Sequence, residues 1–233
     1  MSSFLVDRTH PPRRIVYRDA QRELVLRPWA FEDVEALLSA VNASAPELRA
    51  FMPWAHEPMS MTSQYGVIQR FQEAYWAGRE YVFGMFDSGC NVLLGGAGLH
   101  PRTPMNPKAL EIGYWCHSAH AAQGWTTLAV RTLAVLAFDW FECDRLQVTH
   151  DEENTASRRV VEKCNFVYER TIRNATAAVS SELRSRGYRG SARHRLYALT
   201  PEDYRELDWV PAIRSSIVLE DAIGGKHSAA TRS

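Results

Sequence analysis

The segment ALEIGYWCHSAHAAQGWTTLAVRTL, residues 109–133, decides the fold because its periodicity changes in the middle. Residues 109–117 have the pattern of a strand, and the residues after Gly124 have the pattern of a long apolar helix. A strand that enters a helix through a small-residue turn presents unpaired backbone N–H groups beside the positive end of the helix dipole. Thr126 and Thr127 add hydroxyl donors there. The pattern predicts a phosphate site; alternatively, Gly124 only makes a tight turn and the threonines only cap the helix.

The composition of the 233-residue chain, 45% apolar and 23% charged, is typical of an ordinary globular domain. Its 27 basic residues balance 27 acidic ones, so no global field attracts nucleic acid or an anionic membrane. The N-terminus lacks the apolar core of a signal peptide, and no apolar run reaches membrane-spanning length. We therefore expect a cytoplasmic protein with neither a membrane nor a nucleic acid as partner.

The cysteines are far apart in the sequence: Cys90, Cys116, Cys143 and Cys164. They form no CxxC pair, and the histidines are not clustered. We expect reduced thiols, no disulfide framework and no metal site.

Periodicity along the chain predicts a sheet protein of the α/β or α+β class. Strands are predicted at 23–28, 81–87, 91–100, 109–117, 144–150, 166–174 and 193–201, and helices at 31–41, 63–79, 126–141 and 154–164. Asp87, Ser88 and Gly89 predict a hairpin. We expect an N-terminal arm or edge strand over 1–20, one domain over 21–210, and a disordered tail over 211–233, where the apolar rhythm is lost.

Two motifs, in this order, resemble the GNAT superfamily of acetyl-CoA-dependent N-acetyltransferases, specifically its RimJ/RimL-like branch. The first is EIGYW at 111–115, followed by the turn and helix described above. The second, of the form N-x-x-S-x-x-V-x-E-K-x-G-F, is matched by Asn154, Ser157, Val160, Glu162, Lys163 and Phe166. The resemblance covers about residues 21–200. It implies a GNAT-type acyl-CoA N-acyltransferase fold, a mixed and mostly antiparallel sheet flanked by helices, with acetyl-CoA as co-substrate.

The chain departs from the superfamily pattern at several positions. The turn usually reads Gln/Arg-x-x-Gly-x-Gly/Ala, but here Ala121 stands first and Thr126 last around Gly124. Asn165 replaces the glycine before phenylalanine, and asparagine tolerates the left-handed conformation that such a turn needs. Val161 stands where many members carry a tyrosine that protonates the leaving thiolate.

The resemblance implies that acetyl-CoA lies in a wedge between the strands at 109–117 and 144–150. Backbone groups of 115–117 would pair with the pantetheine amides, and residues 122–127 would hold the pyrophosphate. The implied cofactor-binding residues are Trp115, Cys116, His117, Ala122, Gln123, Gly124, Trp125, Thr126, Thr127 and Asn154.

The candidate catalytic residues are Glu111, Ser157 and Asn154. An alkylammonium must lose a proton before it attacks a thioester, and Glu111 is the candidate base, through a water. Alternatively, Glu111 is solvated or pairs with a nearby arginine. Ser157 and Asn154 position a water or the leaving thiol, or Ser157 only makes bonds within its helix turn. The N–H of Cys116 is the candidate oxyanion donor.

The acceptor is not fixed by the sequence. The branch acetylates protein N-termini, and relatives act on small amines, antibiotics or aminoacyl-tRNA. The arginine-rich segment 184–195 meets RNA or an acidic peptide, or is a solvated loop. A loop at 47–60 is a candidate amine site. The competing class is a non-catalytic acyl-CoA-binding sensor on the same fold. Many relatives dimerise, so a homodimer is possible.

Overall fold

The structure, a computed structural model, describes residues 11–103, 106–173, 180–191, 193–221 and 225–228. Residues 1–10 of the predicted arm and the last five residues of the predicted tail lie outside the described part. Strands within it are β1 Arg14–Arg18, β2 Glu23–Pro28, β3 Tyr81–Phe86, β4 Leu93–Thr103, β5 Asn106–Cys116, β6 Arg145–Asp151, β7 Val167–Arg173, β8 Arg193–Leu199, β9 Ile217–Glu220 and β10 Lys226–Ser228. They form one sheet in the order β10-β9-β1-β2-β3-β4-β5-β6-β8-β7.

Helices cover both faces of this sheet. They are α1 Val34–Ala43, α2 Ala45–Phe51, α3 Met61–Trp76, α4 Trp125–Val135, α5 Thr155–Lys163, α6 Ser181–Ser185, α7 Pro201–Arg205 and α8 Val210–Ser215. Helices α1 and α3 pack on one face around Val25, Trp29 and Ile68. Helix α4 packs on the other face with the larger core cluster, which includes Leu110 and Ile112. The result is the predicted mixed sheet flanked by helices.

The sheet is antiparallel except where β5 meets β6. This parallel ladder pairs Ala109 with Arg145 and ends at Glu111 and Gln147. Both strands continue beyond that point, β5 to Cys116 and β6 to Asp151. The sheet therefore opens between their carboxyl-terminal halves.

Helix α4 begins where the sequence predicts and changes form before it ends. A single turn of wider π-type helix, Leu136–Trp140, continues it, and Asp139 lies in this turn. The Asp139 carboxylate accepts hydrogen bonds from Arg214 Nε at 2.7 Å and from the Tyr204 hydroxyl at 3.1 Å. The predicted helix at 126–141 is thus α4 with its extension, and it is anchored to the C-terminal part of the chain.

The prediction of disorder after residue 210 is wrong for the described part of the tail. Helix α8 packs on α4, and β9 pairs with β1 through Ile15 and Leu219. Ile217 and Leu219 are buried because alternate residues of β9 point into the core. The short alternation in IVLE is the signal of this strand, and β1 is an interior strand of the sheet rather than a loose arm or an edge.

We predict that Ile217→Ala destabilises the protein by about 2–5 kcal/mol, because it removes a buried side chain from the core. Val218 lies next to it on β9 but is 37% exposed, so Val218→Ala is the control and should cost about 1 kcal/mol or less. Equilibrium unfolding in urea measures both free energies. Equal small losses would mean that β9 does not pack on the sheet.

Candidate active site

The opening between β5 and β6 exposes backbone groups on its β5 side. The His117 N–H donates to Leu94 O at 2.9 Å, in the ladder between β4 and β5. Since hydrogen bonds alternate along an antiparallel pair, the backbone groups of Trp115 also face β4, and those of Cys116 and Tyr114 face the opening. Of the three residues expected to pair with pantetheine, only Cys116 therefore turns its N–H toward the opening. Trp115 and His117 use theirs within the sheet.

The turn before α4 is built around left-handed residues. Ala122 has φ 60° and Gly124 has φ 87°. Within the described residues, the N–H groups of residues 122–127 have no protein acceptor, and the next N–H, of Leu128, donates to Gly124 O at 3.0 Å. The turn thus presents a row of free donors at the positive end of α4, which is the arrangement that the sequence predicts for a phosphate.

Side chains of this turn bond to one another or to the sheet. Gln123 donates to Ala119 O at 3.3 Å and accepts from Trp125 Nε1 at 3.2 Å. Burial raises the pKa of the Cys116 thiol, against an opposing hydrogen bond from Thr126. These side-chain contacts leave the backbone N–H groups of the turn available to an anion.

Glu111 lies at the end of the parallel ladder with three partners. Its Oε2 accepts from Gln147 Nε2 at 2.8 Å and from Thr149 Oγ1 at 3.2 Å, and lies 3.3 Å from Arg102 Nη1. No donor among the described residues reaches Oε1. The protein thus fixes the carboxylate through Oε2, and Oε1 stays available to a further partner. Sequence reasoning raised the arginine in general terms but could not name Arg102, Gln147 or Thr149, which only the strand register brings to Glu111.

Asn154 and Ser157 begin helix α5. The Asn154 side chain caps the helix by accepting from the Ser157 N–H at 3.0 Å. The buried Ser157 hydroxyl lies 2.8 Å from the Tyr114 hydroxyl, and burial raises the pKa of Tyr114. Tyr114 was missed as a site residue although it belongs to the EIGYW motif, because its contact with α5 is long-range.

The turn after α5 has the backbone conformation that the sequence predicts. Asn165 has φ 58°, so it adopts the left-handed conformation expected in place of glycine. The Phe166 N–H then bonds Val161 O at 3.0 Å. Val161 is fully buried, so it contributes to the core.

The loop at 47–60 and the arginine-rich segment 184–195 pack against each other. Gly190 N–H donates to Ala50 O at 3.1 Å, and the Arg186 guanidinium bonds the carbonyl of His56. His56 is buried with its Nε2 on Arg49 O at 2.8 Å, so it is not an exposed amine-binding group. Trp54 is 41% exposed. Residues 184–191 therefore lie beside the loop, and residues 193–195 belong to β8, so the described part of this segment is not a free arginine-rich arm.

The described residues contain no cluster of three or more histidine, cysteine, aspartate or glutamate side chains able to hold a metal ion, and the described cysteines are free. No helix among them has the length and apolar character needed to cross a membrane.

A sheet opened beside a helix N-terminus with free N–H donors can bind an extended ligand that carries phosphate. The profile of the acetyltransferase (GNAT) domain matches residues 23–167, so this protein is a member of the GNAT acetyltransferase family. The chain is similar to "Probable N-acetyltransferase YjcK" of Bacillus subtilis strain 168, with 28% identity over 146 residues, 62% of this chain and 81% of that protein.

The fold is shared with solved structures, among which are the following two. One is Mycobacterium smegmatis RimJ in complex with CoA-disulfide, with a TM-score of 0.70 and 21% identity, covering 83% of this chain and 91% of that one. The other is RimL, a ribosomal L7/L12 alpha-N-protein acetyltransferase in complex with coenzyme A, with a TM-score of 0.68 and 19% identity, covering 81% and 99%. The predicted family and fold are confirmed, and these neighbours agree with the RimJ/RimL-like branch.

Acetyl-CoA is the co-substrate of this family, and the geometry fits it. The opening offers the Cys116 N–H to an amide or carbonyl, and the turn at 122–127 offers free N–H groups to phosphate. When bound, acetyl-CoA supplies the activated acetyl group, and these donors would hold its arm and its phosphates.

We predict that Asn154→Ala destabilises the protein by about 1 kcal/mol, because the Ser157 N–H loses its cap. Asn154→Asp keeps the accepting oxygen and should restore most of that loss. Thr155→Ala, one position further on an exposed site, is the control. Urea unfolding of the three variants measures the differences, and a loss in Thr155→Ala equal to that in Asn154→Ala would contradict the cap.

Proposed function

We propose that this acetyltransferase transfers the acetyl group of acetyl-CoA to a primary amine at a protein N-terminus. The main support is the placement of Glu111 and the Cys116 side chain, which lie on opposite faces of β5 beside the same opening. Glu111 lies on the same face as Trp115. The cofactor would then enter from the α4 side and the amine from the α1 and α3 side. The structural neighbour RimL, a ribosomal L7/L12 alpha-N-protein acetyltransferase, supports the acceptor class.

Glu111 accepts the proton of the ammonium through a water. Its Oε2 is fixed by Gln147, Thr149 and Arg102, which leaves Oε1 to bind that water. An N-terminal amine has a pKa of about 8, so it needs less help than a lysine side chain near 10. The Glu111 carboxylate, fixed beside Arg102, suits this milder task.

The Cys116 N–H donates to the oxygen that becomes negatively charged as the amine attacks the thioester. A backbone donor is already oriented and needs no rearrangement when charge develops. Because burial raises the pKa of its thiol, Cys116 participates through its backbone and is not the nucleophile.

Ser157 and Tyr114 offer a hydroxyl hydrogen bond to the leaving thiolate, and the thiolate takes its proton from solvent, into which the attacking amine releases its own. Their hydroxyls are 2.8 Å apart, on the α4 face of the sheet where the cofactor would lie. Together they replace the hydroxyl that Val161 cannot provide, while Asn154 fixes the turn that carries Ser157.

The walls of the loop at 47–60 and of the segment 184–191 suit an extended chain end. Glu47 and Glu57 are exposed there, and carboxylates attract an ammonium group. A small-molecule amine or an antibiotic is the alternative acceptor, and a non-catalytic sensor is the alternative class. The homodimer stays a prediction.

We predict that Glu111→Gln lowers kcat by about 10²–10⁴-fold and leaves the Kd for acetyl-CoA unchanged, because only the proton acceptor is lost. The deficit should shrink as the pH rises above about 8, where the amine is already neutral. Glu202→Gln is the control, since Glu202 also pairs with an arginine, Arg205, but on the surface of α7. Wild-type kcat in Glu111→Gln would remove Glu111 from the reaction.

The acceptor is tested by calorimetric titration with acetyl-CoA, followed by mass spectrometry of pooled peptides and small amines. We expect micromolar-range binding and acetyl groups on peptide N-termini. Peptides with a blocked N-terminus and a free lysine are the control and should stay unmodified. Transfer to small amines alone would favour the alternative acceptor, and binding without any transfer would favour the sensor.

A further inference from the structure

Arg22 lies against the first residues of α4 although it belongs to the turn between β1 and β2. Its Nη1 lies 3.3 Å from the position that a Cβ atom on Gly124 would occupy. Its guanidinium carbon lies 5.8 Å from the centre of the Trp125 ring. The hairpin thus brings a positive charge to the turn whose N–H groups have no protein acceptor.

The guanidinium is poorly satisfied by the protein. Arg22 Nη2 lies 3.9 Å from Asp19 Oδ2, too far for a hydrogen bond, and the buried Arg22 Nε has no partner among the described residues. Asp19 is engaged elsewhere: it accepts from the N–H groups of Gln21 and Arg22 and from the Tyr17 hydroxyl, and these bonds lower its pKa. The side chain of Arg22 is 37% exposed, so its terminal nitrogens are accessible.

The turn itself lacks a charged side chain. Residues 121–127 read AAQGWTT, and Ala121 occupies the first position of the turn. The nearest arginine on α4, Arg131, donates to Lys163 O at 2.6 Å, at the other end of α5. Backbone donors alone leave the negative charge of a phosphate only partly compensated, whereas a guanidinium adds a full charge and two parallel N–H donors.

We propose that Arg22 binds a phosphate group of coenzyme A at the turn 122–127, and so supplies from the β1–β2 hairpin the cation that the turn lacks. This rests on the acetyl-CoA site described above. Both the pyrophosphate and the 3′-phosphate of the cofactor have the chemistry that Arg22 recognises, and the test separates them.

The test measures Kd by calorimetry for acetyl-CoA, its 3′-dephospho form and acetylpantetheine. Arg22→Gln should weaken acetyl-CoA about ten- to one-hundred-fold, while acetylpantetheine, which lacks both phosphate groups, is bound equally by wild type and variant. Equal binding of the dephospho form by both proteins assigns Arg22 to the 3′-phosphate. The same loss with the dephospho form assigns it to the pyrophosphate.

Arg18→Gln is the matched control, because Arg18 lies on the same hairpin, carries the same charge and is 72% exposed beside Glu23. It should keep the wild-type Kd. Arg22→Lys keeps the charge but loses the planar fork, so its affinity should be intermediate. The affinity of wild type should also fall more steeply with salt than that of Arg22→Gln.

Two results would overturn the assignment: wild-type affinity for acetyl-CoA in Arg22→Gln, or an equal loss in Arg18→Gln, which would show only a general charge effect. The proposed acceptor fails separately. If peptides are not acetylated but Arg22→Gln still loses phosphate-dependent affinity, only the acceptor is wrong. If the wild type does not bind acetyl-CoA, both proposals fall.

Discussion

The short parallel ladder between β5 and β6 is the constraint on which the rest of the site depends. Parallel strands need a long connection, and here α4 and its extension provide it. The ladder ends at Glu111 and Gln147, so the polar groups of both strands beyond that point are left for a ligand. The same connection contains the turn at residues 122–127, whose free N–H groups lie at the start of α4. The parallel connection between β5 and β6 therefore creates both the opening and the phosphate-binding turn beside it.

The net charge of the chain is balanced, so the electrostatics of the opening depend on the local arrangement of charged side chains. The chain carries 27 residues of each sign, yet individual charged groups near the opening differ in their neighbours. Arg102 lies beside Glu111, whereas the carboxylate nearest Arg22, that of Asp19, is engaged by other donors and lies 3.9 Å away. Arg102 therefore fixes a carboxylate, and Arg22 stays available to an anion.

Sequence reasoning predicted the elements around the opening because their signals are local. The alternation in 109–117, the glycine turn and the Asn154 cap all lie within a few residues of the features they specify. It failed where the determinant is the pairing of distant segments. The contact of Tyr114 with Ser157, the donors on Glu111 and the position of Arg22 follow from strand register and hairpin placement, which periodicity does not encode. The prediction of a disordered tail was wrong because the alternation at Ile217–Glu220 covers only four residues and polar residues follow it.

The pairing of β9 with β1 has a consequence for how the chain is made. Arg14 is aligned with Glu220, so the first and the last parts of the described fold are neighbours in the sheet. During synthesis, the outer edge of β1 stays unpaired until residues 217–220 have left the ribosome. The strands that border the opening, β3 to β6, are complete in sequence long before that. The opening can therefore form while the outer edge of β1 is still unpaired.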